Sequence, residues 1–257
     1  MLRQLFYIGK YTVIEGIRDK ILYVSLFIII GLLMFSSYLS LLTLTSPDIA
    51  FLSFSFYFLK LFSIIALLFL IIFHLYRDKK NRAYEIILTK IYKRSLYIWG
   101  KFLGFNILYI LITTLVVLVI FLLEYILWNK LFYSIFVYIP ILSFQFFIIS
   151  SIVFLLYLIF TSPTITIIIS IAILFASHFS IDFYLFTMKT SNGLIKYLYI
   201  LLYYIFPNLQ CFAVEKSIVH KIPMVPLSIS NLFLYAISYG IVFVFITGLI
   251  FENKRDY

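Results

Sequence analysis

Six apolar stretches, each 18 to 23 residues long, divide this chain: 21–42, 53–75, 102–123, 140–160, 163–180 and 232–251. About 20 apolar residues in a helix cross the hydrocarbon core of a bilayer. Lipid offers the backbone no hydrogen-bond partners, so each crossing segment must satisfy its own amides, as a helix does. The chain therefore reads as an all-α, polytopic integral membrane protein with six transmembrane helices. Composition agrees. The sequence is 65% hydrophobic and 12% charged, with mean hydropathy +1.14, where soluble domains carry about 25% charged residues. Residues 1–257 form one transmembrane domain, with nearly all of its length spent in crossing.

The cations orient the spans. Of twenty Lys and Arg, fourteen fall in the N-terminal segment, the loop between the second and third spans, and the C-terminal tail. The other six are Lys60, Lys130, Lys189, Lys196, Lys216 and Lys221. The positive-inside tendency then places both termini in the cytoplasm. The net charge of +10 belongs to residues flanking apolar segments, so it points to a lipid surface and not to nucleic acid.

Two segments do not cross in this reading. Residues 1–20 form an amphipathic helix on the cytoplasmic leaflet, retained and not cleaved as a signal. Leu2, Leu5, Phe6, Gly9, Val13, Gly16 and Ile17 lie on its apolar face, with Arg3, Gln4, Tyr7, Tyr11, Glu15 and Arg18 opposite; Arg3, Lys10 and Arg18 are its interfacial cations. Residues 182–231 form an outer loop. Its apolar run 193–206 is short for a span and reads as a re-entrant or interfacial segment. A seventh crossing there would put the Lys254-Arg255 tail outside, against the charge bias. Ser162-Pro163 predicts a helix start, with Ser162 as N-cap and Pro163 in the first turn.

The stretch Arg77–Lys101 holds eight of the twenty cations. Tyr84, Ile87, Leu88 and Ile91 recur at helical spacing on one face, with Arg82, Glu85, Thr89 and Lys93 on the other. Two readings fit this pattern. One is a short interfacial helix that offers its polar side to a soluble partner; the other is a solvated loop whose charge only sets topology.

Chemistry-bearing motifs are absent. The chain has no GxxxxGK[ST] phosphate loop, no HExxH and no GxSxG, so nothing in it predicts ATP binding, zinc proteolysis or serine hydrolysis. No catalytic residue, metal site or cofactor is expected. Cys211 stands alone, which excludes an internal disulfide. His178 and Asp182, four apart, could face each other, but they read as unconnected interfacial residues and not as a metal site. Lys60 is the one charge well inside a span, a functional-site hypothesis by default. It lies about seven residues, roughly 10 Å, from the outer edge, so snorkelling or a structural ion pair explains it better. Gly100 and Gly104 form a small-xxx-small pair suited to close helix packing. A proton- or sodium-coupled carrier would place acids inside its spans, and in this layout all ten Asp and Glu fall at boundaries or in loops.

Three stretches carry a family resemblance. The first is GKYTVIEGIRDKILY near the N-terminus, with its basic-acidic-basic triplet Arg18-Asp19-Lys20. The second runs from Arg77-Asp78 through Arg94 to Gly100-Lys101-Phe102-Leu103-Gly104. The third combines Phe206-Pro207-Asn208-Leu209 with the ending from Ile250 to Asp256. Together they resemble the membrane subunits of type 2 ATP-binding-cassette exporters. The likeness is nearest to the branch that serves multicopper-enzyme and nitrous-oxide-reductase maturation. The chain departs from that pattern at Asp78, where glutamate is usual, at Arg82-Ala83, where Gly-Thr is common, and at Ile91, where proline often sits.

The resemblance implies a permease subunit, not an enzyme, in the cell inner membrane. Two copies would pair as a homodimer, each docked to a separately encoded cytoplasmic ATPase. The helix around Tyr84–Arg94 would be the coupling element, with Arg77, Asp78, Arg82, Glu85, Thr89, Lys93 and Arg94 as the residues that engage the ATPase. The outer segment 182–231 would cap the exit. Two other classes fit the residues without the resemblance: a non-transporting recruitment or immunity module, and a carrier that works without ATP.

Overall fold

The computed structural model describes residues 2–43, 46–81, 93–130, 132–189, 193–220 and 229–253, and among these every regular element is helical. The expected coupling helix, and with it Arg82, Glu85 and Thr89, lies outside the described residues. The N-terminal helix α1 spans Leu2–Arg18 and is followed by α2, Lys20–Leu41. Next come α3, Pro47–Lys80, and α4, Ser95–Trp128, each of 34 residues. A 3-10 turn, Tyr133–Val137, leads into α5, Tyr138–Phe160. Then follow α6, Pro163–His178; α7, Ser180–Lys189; and α8, Gly193–Ile205. A second 3-10 turn, Leu209–Phe212, and the short α9, Glu215–His220, precede the last helix α10, Ile229–Asn253.

Five helices, α2, α3, α4, α5 and α10, are individually long and apolar enough to cross a bilayer, so this is a multi-pass membrane protein. Two bent pairs add to these: α6 with α7, kinked by 48°, and α8 with residues 209–219, bent by 50°. The helices overrun the apolar stretches that define them. At 1.5 Å per residue, α3 and α4 are about 51 Å long against a hydrocarbon core of about 30 Å. Their end turns project beyond the core, and polar side chains gather there.

Chain punctuation is local. Asp19 caps α2 with its side chain, accepting from the Ile21 amide at 3.1 Å. Pro47 opens α3 and Pro163 opens α6, where a missing N–H costs nothing. Ser162 takes the N-cap position of α6 but makes no side-chain cap bond. Asn129 and Thr161 close α4 and α5 in the left-handed region, with φ of 53° and 55°, and their amides return to Tyr125 O and Tyr157 O.

The centre of the bundle is α3, α4 and α5, with α10 packed on α5 and α4, and α6 on α5 and α3. α2 leans on α3 and turns Phe27, Met34, Phe35 and Tyr38 outward. Lipid tails are as apolar as leucine, so these exposed side chains gain little from packing, and small and polar residues specify the helix contacts instead. Ser36 Oγ thus reaches Phe51 O and Ser55 Oγ across the α2–α3 seam, and Asn106 Nδ2 donates to Ser150 Oγ between α4 and α5. α7 and α8 form an antiparallel hairpin, with Tyr184 against Tyr203 and Phe186 against Tyr199.

The face that α1 buries differs from the expected one. Ile8, Gly9, Thr12 and Gly16 pack on α4, while Phe6 and Ile17 are exposed and Glu15 turns inward. Steric access decides this. A Cβ on Gly104 would lie 2.8 Å from Gly9 O and 2.7 Å from Thr12 Cβ, and one on Gly100 2.7 Å from Ile8 Cβ. The Gly100/Gly104 pair therefore admits only the small-residue side of α1, and the bulky side chains are left for lipid. The glycine pair does serve close packing, as expected, and its partner is the N-terminal helix.

Candidate functional site

A buried ionic cluster joins α1, α3 and α4 at the end of the bundle that carries most of the basic residues. Lys101 enters from the second turn of α4 and is completely buried. Its Nζ lies 2.5 Å from Asp78 Oδ2, 2.6 Å from His74 Nε2 and 3.6 Å from Glu15 Oε2. His74 and Asp78 share a face of α3 at i and i+4, as Tyr97 and Lys101 do on α4. Tyr97 donates its hydroxyl to Asp78 Oδ2 at 2.6 Å, and its ring lies 5.6 Å from the Lys101 ammonium. Arg77 reaches Asp19 Oδ2 at 3.2 Å and His74 Nδ1 at 3.1 Å, which brings in the start of α2.

The ring of His74 is set by its neighbours. A guanidinium can only donate, so Nδ1 facing Arg77 must accept. Nε2 lies between Glu15 Oε2 at 2.9 Å and the Lys101 ammonium at 2.6 Å. The Lys101 ammonium donates chiefly to the Asp78 carboxylate. Burial pushes the Glu15 carboxyl up, but the His74 hydrogen bond and the Lys101 charge outweigh it and hold the group at about 2. Tyr11, hydrogen-bonded to Glu15, has its phenol pushed upward.

Glu15, His74 and Asp78 are the one trio among the described residues whose ligand atoms could share a metal ion. The Lys101 ammonium occupies the space between them, so the donor set already holds its cation. Nothing in the cluster is a nucleophile free to react. Chemically it is a lock: five charged side chains and two ring systems that tie α1, α3 and α4, with the start of α2, on both sides of segment 82–92.

The residues expected from sequence divide accordingly. Arg77 and Asp78, expected on a docking surface, belong to this lock, and Asp78 is buried. Lys93 and Arg94 are exposed just before α4. Lys10 and Arg18 are exposed on α1, and Arg3 lies over the Tyr7 ring. His178 packs edge-on to Phe179. Lys60 is paired: its Nζ lies 2.8 Å from Glu215 Oε1, which also accepts from Tyr138 at 3.0 Å. At the same end of the bundle Lys130 bonds Asp48 at 2.6 Å.

Asp78 and Glu124 do lie near the ends of long helices, and Glu215 in the outer segment, but the first two are buried against neighbouring helices and Glu215 reaches back to Lys60. The overrun of α3 and α4 beyond the apolar stretches explains the first two. Sequence reasoning passed over Glu15, His74, Tyr97 and Lys101. The i, i+4 pairs 74/78 and 97/101 were the available signal, but their meeting depends on the α3–α4 register. No protein-family model matches the chain, and no curated protein matches it by sequence.

Proposed function

We propose that this chain is the permease subunit of an ATP-driven transporter. In this reading it crosses the cytoplasmic membrane six times, pairs with a second copy, and takes its energy from a separate ATPase docked at segment 77–101. The six crossings are α2, α3, α4, α5, the bent α6–α7 unit and α10, with both termini inside.

The observation that carries the reading is the lock at the roots of that segment. Arg77 and Asp78 close α3, Tyr97 and Lys101 open α4, and Glu15 joins both to α1. A push delivered to the segment between them acts on three helices as one body. A partner's nucleotide state could thereby bias the whole bundle between two arrangements, which is what coupling requires. A mere topological loop needs no such anchorage.

The test is co-purification in detergent with a candidate cytoplasmic ATPase, followed by nucleotide turnover and transport in liposomes. Arg82→Glu and Glu85→Lys are expected to insert and fold normally while losing association or transport. Full transport by both variants would refute the coupling role. Failure of the intact chain to bind the ATPase would refute the permease reading. The second reading, a carrier independent of ATP, draws on the buried Asp78 and Lys101 and the half-buried Lys60–Glu215 pair; transport by the chain alone would favour it.

A further inference from the structure

The segment 207–219 turns back from the surface and inserts its buried residues Leu209, Phe212, Ile218 and Val219 against the bundle. It contacts α3, α5, α6 and α7, and meets α10 through Tyr235. Among the described side chains of the segment the ionic link there is Glu215, whose Oε1 receives both the Lys60 ammonium at 2.8 Å and the Tyr138 hydroxyl at 3.0 Å.

The two sides of this link are unequal. Lys60 stands on a 34-residue helix and Tyr138 opens a 23-residue one, whereas Glu215 belongs to a helix of six residues outside the long spans. Tyr138 is completely buried and the Lys60 side chain is 12% exposed. Buried Phe56, Leu59 and Ile135 supply apolar surroundings in the same part of the bundle. An ammonium and a hydroxyl fixed on rigid helices in an apolar wall make a receptor for a single anionic head, through charge-assisted hydrogen bonds.

We infer that Lys60 and Tyr138 form a binding site for an amphiphile with a monoanionic head, such as a carboxylate, and that Glu215 is its tethered competitor. When the 207–219 segment lifts, the cation and hydroxyl are vacated for a ligand. When the ligand leaves, Glu215 reoccupies them. A tethered group competes at an effective concentration in the millimolar range, so the intact protein binds free carboxylates weakly. As a substrate site the inference rests on the transport reading above; as a binding site it does not, and a test with no ATPase present separates the two.

The full chain in neutral detergent is titrated with decanoate and read by native mass spectrometry, with decyltrimethylammonium as the cationic control. Glu215→Gln keeps both hydrogen bonds but drops the charge, and should bind decanoate at least tenfold more tightly than the wild type. Lys60→Met combined with Glu215→Gln leaves no lone buried charge to disturb folding, and should lose the gain. The cationic control should bind no variant preferentially. Equal decanoate affinity in the wild type and Glu215→Gln would overturn the inference, and so would equal affinity in Glu215→Gln and the double variant. Displacement of decanoate by added phosphatidylglycerol would assign the anion to a lipid headgroup, and no displacement would assign it to a free amphiphile; either result keeps the Lys60 site.

Discussion

Replacing Lys101 by methionine keeps an unbranched side chain, one atom shorter, and removes its charge from the centre of the lock. At 2.5 Å the ammonium and the Asp78 carboxylate attract by about 7 kcal/mol at an effective dielectric of 20. The cost of burying the lysine offsets most of that. What the substitution leaves behind matters more: Asp78, 7% exposed, loses its cation and keeps the Tyr97 hydroxyl as a donor, with the Glu15 carboxylate close by. Breaking a buried pair by removing one partner costs about 3–5 kcal/mol. At about 2–4 °C per kcal/mol for a chain of this size, Lys101→Met should melt about 6–20 °C below the wild type. The assay is thermal unfolding in detergent, followed by the loss of the monodisperse peak on size exclusion. Lys101→Met with Asp78→Asn removes both charges while leaving an oxygen for Tyr97, and should recover to within about 2 kcal/mol of the wild type. A loss under about 1 kcal/mol in the single variant would refute the lock, and so would a double variant no more stable than the single one.

Two further outcomes follow from the α1 contacts. Gly104→Val should cost about 1–3 kcal/mol through overpacking, since even a Cβ there would lie 2.8 Å from Gly9 O; it should also expose buried position 12, read as thiol labelling of Thr12→Cys, and an unlabelled thiol would count against the docking of α1. Glu15 has a folded-state value of about 2 against an ordinary 4.5, so its contribution is complete above about pH 4.5 and lost as pH falls toward 2. The shift bounds that contribution at about 3 kcal/mol, and screening at a side chain 26% exposed lowers it to about 1–2 kcal/mol. Melting curves from pH 7 to 3 should fall in the wild type and flatten over that window in Glu15→Gln; parallel curves would contradict the assignment.

The spans were legible because lipid imposes one demand on every crossing segment, and that demand is met residue by residue along the chain. The stretches 53–75, 102–123, 140–160 and 232–251 each fall within a helix, and Pro163 opens α6 as its position predicts. The length of the helices was not legible to the same degree. Backbone hydrogen bonding continues α3 to Lys80 and begins α4 at Ser95, through polar turns that hydropathy assigns to a loop.

By itself, then, the sequence determined the all-helical class, the membrane environment, and the concentration of cations between the second and third spans, since each follows from composition and spacing within one segment. The tertiary structure alone decided which polar groups meet. Glu15, His74, Asp78 and Lys101 come from three helices as far as 86 residues apart in the chain, and Lys60 finds Glu215 across 155 residues. Such meetings depend on helix register and rotation. In lipid these are set by small residues such as Gly100 and Gly104, which admit one face of a neighbour, and by buried charges, which are stable only where an opposite charge reaches them.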